Sequence, residues 1–421
     1  MWRERTAWED GDMGDAPYCS TWHIAESERM RGRALSIRNL FPFVVLLITA
    51  LPWRFDPAQT AHAMGRSPNL PDKIRVLIVK SGRHVPVKHE STVMLVNPDT
   101  RQSITRAGWL DAHLTCENGT IKVGGLRTGL RSVLIVPQNS RAFLSVEGNR
   151  YRGAIRATAV DTSSLSVINE LKLDEFLYGM VGREIPASWP AAALEAQAIA
   201  ARSFAVDRIR MNAKKAYDIL ANVTLAYGGV GAETPAVRTA VNRTQGKVLF
   251  YKGAVLPAYF SSTCGGHTEE VGAIYPETGA FPRAVRCNWC RDARFFQWEA
   301  GYSWREVEAA MQRIGAARGA VRSLRVSSKT STGRAAQIEV ISDAGRKQIT
   351  AHQFRSALGV DKLRSTWFSM QVTGGRLQVK GRGWGHGIGL CQNGAGNLAK
   401  QGWSAKNILQ RYYPGAVIRG L

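Results

Sequence analysis

The chain has 421 residues, of which 44% are hydrophobic and 9% aromatic. This composition is typical of a folded globular protein and excludes a largely disordered one. The formal net charge is +23, which favours anionic partners such as nucleic acid, lipid surfaces or cell-wall polymers, although a solubilising surface explains it equally well.

The first 63 residues predict an export signal. Residues 1–29 are polar and form an upstream extension that we expect to be disordered. Residues 30–63 carry several arginines, an apolar run from Leu40 to Leu51, and then Ala-His-Ala at 61–63. A basic region, a short apolar core and a small-x-small motif are the three parts of a signal peptide. We therefore expect cleavage after residue 63 and an exported protein, on the periplasmic or cell-wall side of the membrane. An uncleaved anchor is the alternative, although the run is short for a bilayer.

Residues 70–169 predict a β-rich N-terminal part. Short runs such as IRVLIV, STVMLV and SVLIVP alternate with turn residues, among them Asn97-Pro98-Asp99 and Glu117-Asn118-Gly119. Runs of this length between turn signals are typical of antiparallel strands joined by hairpins.

Residues 170–421 predict a helical and mixed α/β core. The spacing is helical over 170–213, with Pro190 suited to a first turn and one face of small and apolar residues. A strand ending at Cys264, a helix near Ser303 to Ile314, further strands and a last short helix, Ser404 to Tyr413, follow. The predicted fold class is therefore α+β.

Glu184 is the first candidate for chemistry. It stands just before Ile185-Pro186 and a helix, and Trp189 and Pro190 complete an apolar collar. Burial by such a collar would raise the pKa of a carboxyl group, and a protonated Glu near neutrality is a general acid. An ordinary favourable charge at a helix N-terminus is the alternative.

Two short Cys/His motifs are the second candidate. They are Cys264-Gly-Gly-His267 and Cys287-Asn-Trp-Cys290, which together offer four ligands of the types that structural zinc takes. Signal cleavage would remove Cys19 from the six cysteines, and the odd number that remains argues against a simple disulfide framework. The alternatives are a disulfide between Cys287 and Cys290, or unconnected buried thiols.

The third candidate is the glycine-dense loop GRGWGHGIGLCQNGAG, residues 381–396. Its glycines permit close backbone approach, while Trp384, His386 and Gln392 offer a stacking plane and hydrogen-bonding groups. This pattern favours either a binding groove or a tight structural turn with a hydrogen-bonded histidine.

Three segments in this order resemble the stage II sporulation protein D family, also called the SpoIID/LytB domain. They are GREIPASWPAAALEAQAIAARSFAV, AYFSSTCGGHTEE and GRGWGHGIGLCQNGAGNLAKQGWSAKNILQRYYPGAVI, and the resemblance covers roughly residues 74–419. It implies a lytic transglycosylase that cleaves the β-1,4 bond between N-acetylmuramic acid and N-acetylglucosamine in glycan strands stripped of stem peptides. A single glutamate serves that reaction as acid and then as base, and its position here is Glu184.

The resemblance also implies a set of substrate contacts by motif position. These are Arg202, Tyr259, Ser261, Ser262, Trp384, His386 and Gln392. We expect Arg202 to be a cation that orients Glu184 or an acetamido group of the substrate. The alternative is that Arg202 forms an internal salt bridge. The sequence departs from many relatives at Cys391, where they have Ser, and at Asn393, where they have an aromatic residue.

The expected partners are peptidoglycan glycan strands. A different role implied by the resemblance is a non-catalytic glycan-binding module that recruits or stimulates a peptidoglycan amidase. Nucleic acid is not an expected partner, because the export signal and the lack of a nucleic-acid-binding motif both argue against it.

Overall fold

The computed structural model describes residues 71–139, 141–221 and 225–420. The predicted extension and signal peptide, residues 1–29 and 30–63, lie outside the described residues. Within the described part of the chain, no helix combines the length and the apolar character that crossing a bilayer requires.

The N-terminal part consists of two sheets. Its strands are β1 (Lys73–Gly82), β2 (His84–His89), β3 (Val93–Val96), β4 (Ser103–Ala107), β5 (Leu110–Glu117), β6 (Thr120–Val123), β7 (Leu126–Arg127), β8 (Ser132–Pro137), β9 (Leu144–Val146), β10 (Asn149–Tyr151), β11 (Ala154–Ala159), β12 (Leu165–Lys172) and β13 (Ile219–Leu220). One sheet has the order β13-β1-β12-β11-β8-β3-β4 and the other β10-β9-β2-β5-β6-β7.

The pairing in these sheets is antiparallel except between β1 and β13. Burial alternates along β11, as expected of a strand with one face on a core. Buried side chains of both sheets, such as Val76 and Leu114, belong to one continuous core that extends to the first helices. The fold class is α+β, as predicted.

The described residues contain seven α-helices. They are α1 (Leu173–Glu184), α2 (Ala191–Met211), α3 (Pro235–Arg243), α4 (Trp304–Arg313), α5 (Ala351–Leu358), α6 (Gln392–Lys400) and α7 (Ala405–Tyr412). The helical spacing over 170–213 is thus two helices. The break follows from Pro186 and Pro190, because proline lacks the backbone N–H that a helix interior needs; Pro190 is the N-cap of α2.

Helix α2 lies at the centre of the core. It contacts α1, α3, α6 and α7, and nearly all residues from Ala193 to Val206 are buried. The predicted single apolar face was therefore too narrow. The alanine-rich sequence explains the difference, since small side chains let neighbouring elements approach the helix from several sides.

A second hydrophobic cluster occupies residues 297–382. Its elements include α4, α5, β17 (Gln297–Ser303), β18 (Val321–Lys329), β19 (Ala335–Ser342), β20 (Gly345–Thr350), β21 (Phe368–Thr373) and β22 (Arg376–Arg382). These strands form two three-stranded sheets, β17-β22-β21 and β18-β19-β20. Helix α4 begins at a capping box of Ser303 and Glu306, and its bounds match the prediction to one residue at each end.

The remaining strands of the described residues are short, and two of them lie beside the candidate site. They are β14 (Lys247–Tyr251), β15 (Ala254–Val255), β16 (Phe260–Ser261), β23 (Leu390–Cys391) and β24 (Val417–Gly420). Strands β16 and β23 pair in parallel, with Ser261 opposite Cys391. The strand predicted to end at Cys264 is instead two short strands, β15 and β16, because Pro257 interrupts it. This pairing brings the serine-rich segment against the glycine-dense loop.

Candidate functional site

Glu184 is the last residue of α1, and both of its carboxylate oxygens accept hydrogen bonds. Gln392 Nε2 donates to Oε2 over 3.1 Å, and the backbone N–H of Ala226 donates to Oε1 over 3.2 Å. Glu184 is partly buried. Its predicted alternative role, a favourable charge at a helix N-terminus, is wrong, because the negative end of a helix dipole repels a carboxylate.

The pKa of Glu184 is raised above its ordinary value. Burial is the largest cause, while the hydrogen bonds from Gln392 and Ala226 and the charge of Arg183 act in the opposite direction. Desolvation penalises the ionised form, and N–H donors stabilise it. The carboxyl group is thus easier to protonate than a solvated glutamate, yet its ionised form has two donors ready.

Gln392, the first residue of α6, is buried and lies beside Glu184 as the motif position implied. The next residue, Asn393, donates to the carbonyl of Ser262 from both its backbone N–H and its Nδ2, each over 3.0 Å. The glycine-dense loop and the serine-rich segment are therefore joined directly beside the carboxylate.

Two residues of the glycine-dense loop, His386 and Gly389, have structural roles. His386 is buried, its Nδ1 accepts from the backbone N–H of Ile388 over 3.0 Å, and burial lowers its pKa to about 4. This is the structural turn with a hydrogen-bonded histidine that the sequence left open. Gly389 has φ +68°, and a Cβ there would lie 2.1 Å from the carbonyl oxygen of Tyr259, so only glycine fits.

The predicted contact residues differ in exposure. Tyr259 is buried and stacks on Tyr275 with 4.9 Å between ring centroids. Ser261 is also buried, and its Oγ has no partner among the described residues. Ser262 and Trp384 keep partial exposure, and the ring of Trp384 meets Phe295 edge-on at 4.8 Å. Ser262 and Trp384 are therefore the more accessible members of the predicted set.

Arg202 does not take the predicted orienting role. It is fully buried, and its guanidinium donates to Asp174 over 2.9 Å and to the carbonyls of Val241, Thr244 and Lys247. These acceptors, with a second bond from Nε to Asp174, account for all five of its N–H groups. Arg202 instead forms an internal salt bridge with Asp174, which is the alternative that the sequence left open.

Four buried cysteines form a compact cluster. Their sulfur atoms all lie within 4.8 Å of one another, and the members of this four-cysteine cluster are Cys264, Cys287, Cys290 and Cys391. The predicted ligand His267 is not among them, because its Nδ1 faces the carbonyl of Thr268 at 2.7 Å. Cys391 occupies the fourth position, so the ligand set predicted from the two motifs is corrected at one residue.

The distances within the cluster fit a metal and do not fit a disulfide. Cys287 and Cys290 are 3.8 Å apart at sulfur, far beyond the about 2.05 Å of an S–S bond, so the predicted alternative of a disulfide is wrong. The sulfur atoms of Cys264 and Cys290 are 3.7 Å apart. A tetrahedral site with Zn–S bonds of about 2.3 Å has edges of about 3.8 Å.

The surroundings of the cluster also suit a site with negative charge. The hydrogen bond between Cys264 and Cys287 lowers the pKa of Cys287 and raises that of Cys264. The buried guanidinium of Arg334 donates to the carbonyls of Cys264 and His267, each over 2.7 Å. Thiolates that bind a divalent ion leave a net negative charge, which a nearby buried cation offsets.

Family models match two parts of the chain. A model described as stage II sporulation protein matches residues 161–251, which contain Glu184. A model of a domain of unknown function, DUF8618, matches residues 287–389 and so covers the whole of the second hydrophobic cluster.

Three relatives extend the comparison. An uncharacterized protein of Brachyspira hyodysenteriae is 30% identical over 276 residues, which is 65% of this chain and 73% of the relative. The stage II sporulation protein D of Bacillus subtilis is 27% identical over 320 residues, 68% of this chain and 90% of that protein. The amidase enhancer of the same organism is 24% identical over 357 residues, 73% of this chain but 49% of the relative.

The fold and the site define an α+β protein with a glutamate at the end of α1 that accepts hydrogen bonds from the first residue of α6 and from the loop between β13 and α3. The chain belongs to the stage II sporulation protein D family.

Proposed function

We propose that the protein is an exported lytic transglycosylase that acts on peptidoglycan glycan strands through Glu184. The observation that carries this proposal is the setting of that carboxyl group, which combines burial, a raised pKa and two neutral N–H donors. Family membership and the similarity to an amidase enhancer support peptidoglycan as the substrate class.

The reaction needs only one carboxyl group. Protonated Glu184 donates its proton to the glycosidic oxygen, which leaves as the 4-hydroxyl of N-acetylglucosamine. The 6-hydroxyl of the N-acetylmuramic acid residue forms a bond to its own anomeric carbon and closes a 1,6-anhydro ring. Glu184, now ionised, accepts the proton of that hydroxyl. No water is consumed, and the intramolecular nucleophile removes the need for the second carboxylate of a hydrolase.

The two hydrogen bonds to Glu184 have a function in this cycle. Burial favours the protonated acid before bond cleavage, and the N–H groups of Gln392 and Ala226 stabilise the carboxylate that remains afterwards. A carboxyl group without these donors would be a weaker acid for the first step, because its ionised form would be less stable.

The proposal is tested by the product. Purified protein is mixed with amidase-treated sacculi, and anhydro-terminated fragments are measured by mass spectrometry. We expect them from the parent and from Glu195→Gln, a control on α2 whose carboxylate pairs with Arg243, but not from Glu184→Gln. Absence of these fragments with the parent, or equal amounts with Glu184→Gln, would contradict the enzyme.

A second candidate function is a glycan-binding module that stimulates an amidase. Besides the similarity to an amidase enhancer, a surface cavity of about 490 Å³ favours it, because its lining includes the half-buried Trp367 together with Lys329, Lys380 and Arg382 and does not include Glu184. Aromatic faces suit sugar rings, and cations suit the lactyl carboxylate of N-acetylmuramic acid. This candidate gains support if Glu184→Gln stimulates an amidase as well as the parent.

Zinc is the metal that we propose for the four-cysteine cluster. Four thiolates and a tetrahedral spacing are the features of a structural zinc site, and a closed site of this kind stabilises the fold without activating water. Protein purified without a polyhistidine tag should contain about one zinc ion per chain; less than half an equivalent would overturn the assignment.

Export remains a proposal from the sequence. Residues 30–63 would direct the chain across the membrane, where peptidoglycan is found. Fractionation of cells that produce the protein should place it outside the cytoplasm, and retention in the cytoplasm would contradict both the signal and the substrate.

A further inference from the structure

One peptide bond separates the four-cysteine cluster from Gln392, the residue whose side chain contacts the candidate acid. Cys391, a member of the cluster, is the N-cap of α6, and Gln392, whose Nε2 contacts Glu184, is the first residue of that helix. A movement of Cys391 would therefore displace the neighbouring residue Gln392, whose side-chain amide contacts the Glu184 carboxylate.

The first turn of α6 lies directly on the cluster. A Cβ at Gly394 would lie 2.0 Å from the hydroxyl oxygen of Tyr412 and 2.9 Å from Cys287 Sγ. The same hydroxyl is 3.1 Å from Cys287 Sγ. Because no side chain separates this turn from the thiols, the arrangement of the thiols sets where the turn can lie.

The protein's own contacts hold Cys391 only weakly at its sulfur. Cys391 Sγ accepts from the backbone N–H of Cys264 over 3.3 Å and lies 3.9 Å from the carbonyl oxygen of Ser262, and thiols are weak donors and weak acceptors. Coordination to a metal would replace these contacts by bonds of about 2.3 Å with fixed angles. The metal-loaded cluster is therefore the stronger constraint on the start of α6.

We infer that the four-cysteine cluster is a positioning device for the acid: when it holds its metal, it fixes Cys391 and so directs Gln392 Nε2 toward Glu184. In this scheme Gln392 is a positioning residue that acts through the carboxylate. The kinetic consequence depends on the proposed transglycosylase, whereas the orientation of Gln392 does not.

The orientation is tested by NMR on isotopically labelled protein. The side-chain amide signal of Gln392 is assigned by its loss in Gln392→Ala, and the zinc form is compared with the metal-free form and with the protein loaded with Cd²⁺, a larger thiophilic ion. We expect both changes to shift this signal more than that of the exposed Gln353, whose side chain belongs to the capping box of α5. The cadmium arm keeps the test valid if the metal-free protein unfolds.

The kinetic arm uses a matched pair. Exchange of zinc for cadmium should lower kcat for anhydro products about tenfold in the parent, in line with the loss of a positioning contact, and less than twofold in Gln392→Ala. An unmoved Gln392 signal, or equal losses in both proteins, would overturn the inference. If the zinc-loaded parent makes no anhydro product, the transglycosylase fails, and the NMR arm alone decides the positioning role.

Discussion

Gln392 Nε2 donates a hydrogen bond to Glu184 Oε2 although 208 positions separate the two residues. The other carboxylate oxygen is bound by the N–H of Ala226. Both donors are neutral, so they stabilise the ionised form less than a guanidinium or ammonium group would. Burial therefore remains the largest influence on this carboxyl group, and its pKa stays above the ordinary value.

The raised pKa predicts how stability depends on pH. Folded protein binds a proton at Glu184 more readily than unfolded protein does, so stability falls as pH rises from the ordinary pKa of 4.5 through the raised value in the fold. At neutral pH the buried, ionised carboxylate therefore lowers the free energy of unfolding. We therefore expect Glu184→Gln to be more stable than the parent at pH 7, with the difference shrinking toward zero below pH 4.5.

Urea unfolding of both proteins across this range measures the difference. Glu195→Gln serves as the control, because Glu195 lies outside the site near the exposed Arg243, and its effect should stay within about 0.5 kcal/mol at each pH. A Glu184→Gln variant less stable than the parent at pH 7 would contradict a carboxyl group with a raised pKa.

Glu184 could be singled out from the sequence because the apolar residues expected to bury it lie beside it in the chain. In the structure Ile185 is buried and Trp189 half-buried, while Pro186 is exposed. Ile185, Pro186 and Trp189 follow it directly, and they also end one helix and precede the next. Its second donor could not be predicted in this way. The N–H of Ala226 belongs to a loop between β13 and α3, and a backbone group carries no residue-type signal in a sequence.

The four-cysteine cluster shows the same limit. Cys287 and Cys290 form a local motif, and Cys264 belongs to a second local motif, so the sequence alone predicts these three members. Cys391 joins them only because β16 and β23 pair in parallel, a contact between distant segments. His267 has the right spacing from Cys264, but the chain turns its ring toward Thr268. Sequence spacing identifies cluster members that lie within one turn of the chain. It does not identify a member such as Cys391, which sheet pairing brings in from a distant segment.

The corrected ligand set predicts opposite outcomes for two variants. His267→Ala should keep about one zinc ion per chain, and Cys391→Ala should lose most of its zinc, because three thiolates leave a tetrahedral site open. Metal content by mass spectrometry and thermal unfolding with and without a chelator measure both. Zinc loss in His267→Ala, with zinc retained in Cys391→Ala, would restore the ligand set predicted from the motifs.

Gly394 predicts a steric effect on the same cluster. In Gly394→Ala the new methyl group would meet Tyr412 and Cys287, and overpacking of this kind costs about 1–3 kcal/mol, partly offset by the about 1 kcal/mol that alanine gains in a helix. We expect a net loss of about 1 kcal/mol and weaker zinc binding. Gly231→Ala is the control, since its Cβ would meet nothing within 4 Å; equal behaviour of the two variants would argue against close packing on the thiols.

Arg202 predicts a loss of stability without a change in substrate binding. Arg202→Met keeps much of the side-chain volume but leaves Asp174 and several carbonyls without their donor. Breaking a buried ion pair costs about 3–5 kcal/mol, and because the Asp174 side chain keeps 21% exposure to water, we expect the lower end of that range.

Urea unfolding checks the size of this effect against Arg243→Met. The Arg243 side chain is 65% exposed and lies 3.9 Å from Glu195, so the loss of that surface pair should cost less than about 1 kcal/mol. KM for glycan strands, measured where both variants are folded, should match the parent, because all five N–H groups of Arg202 are engaged inside the protein. A raised KM with unchanged stability would instead identify Arg202 as a substrate contact.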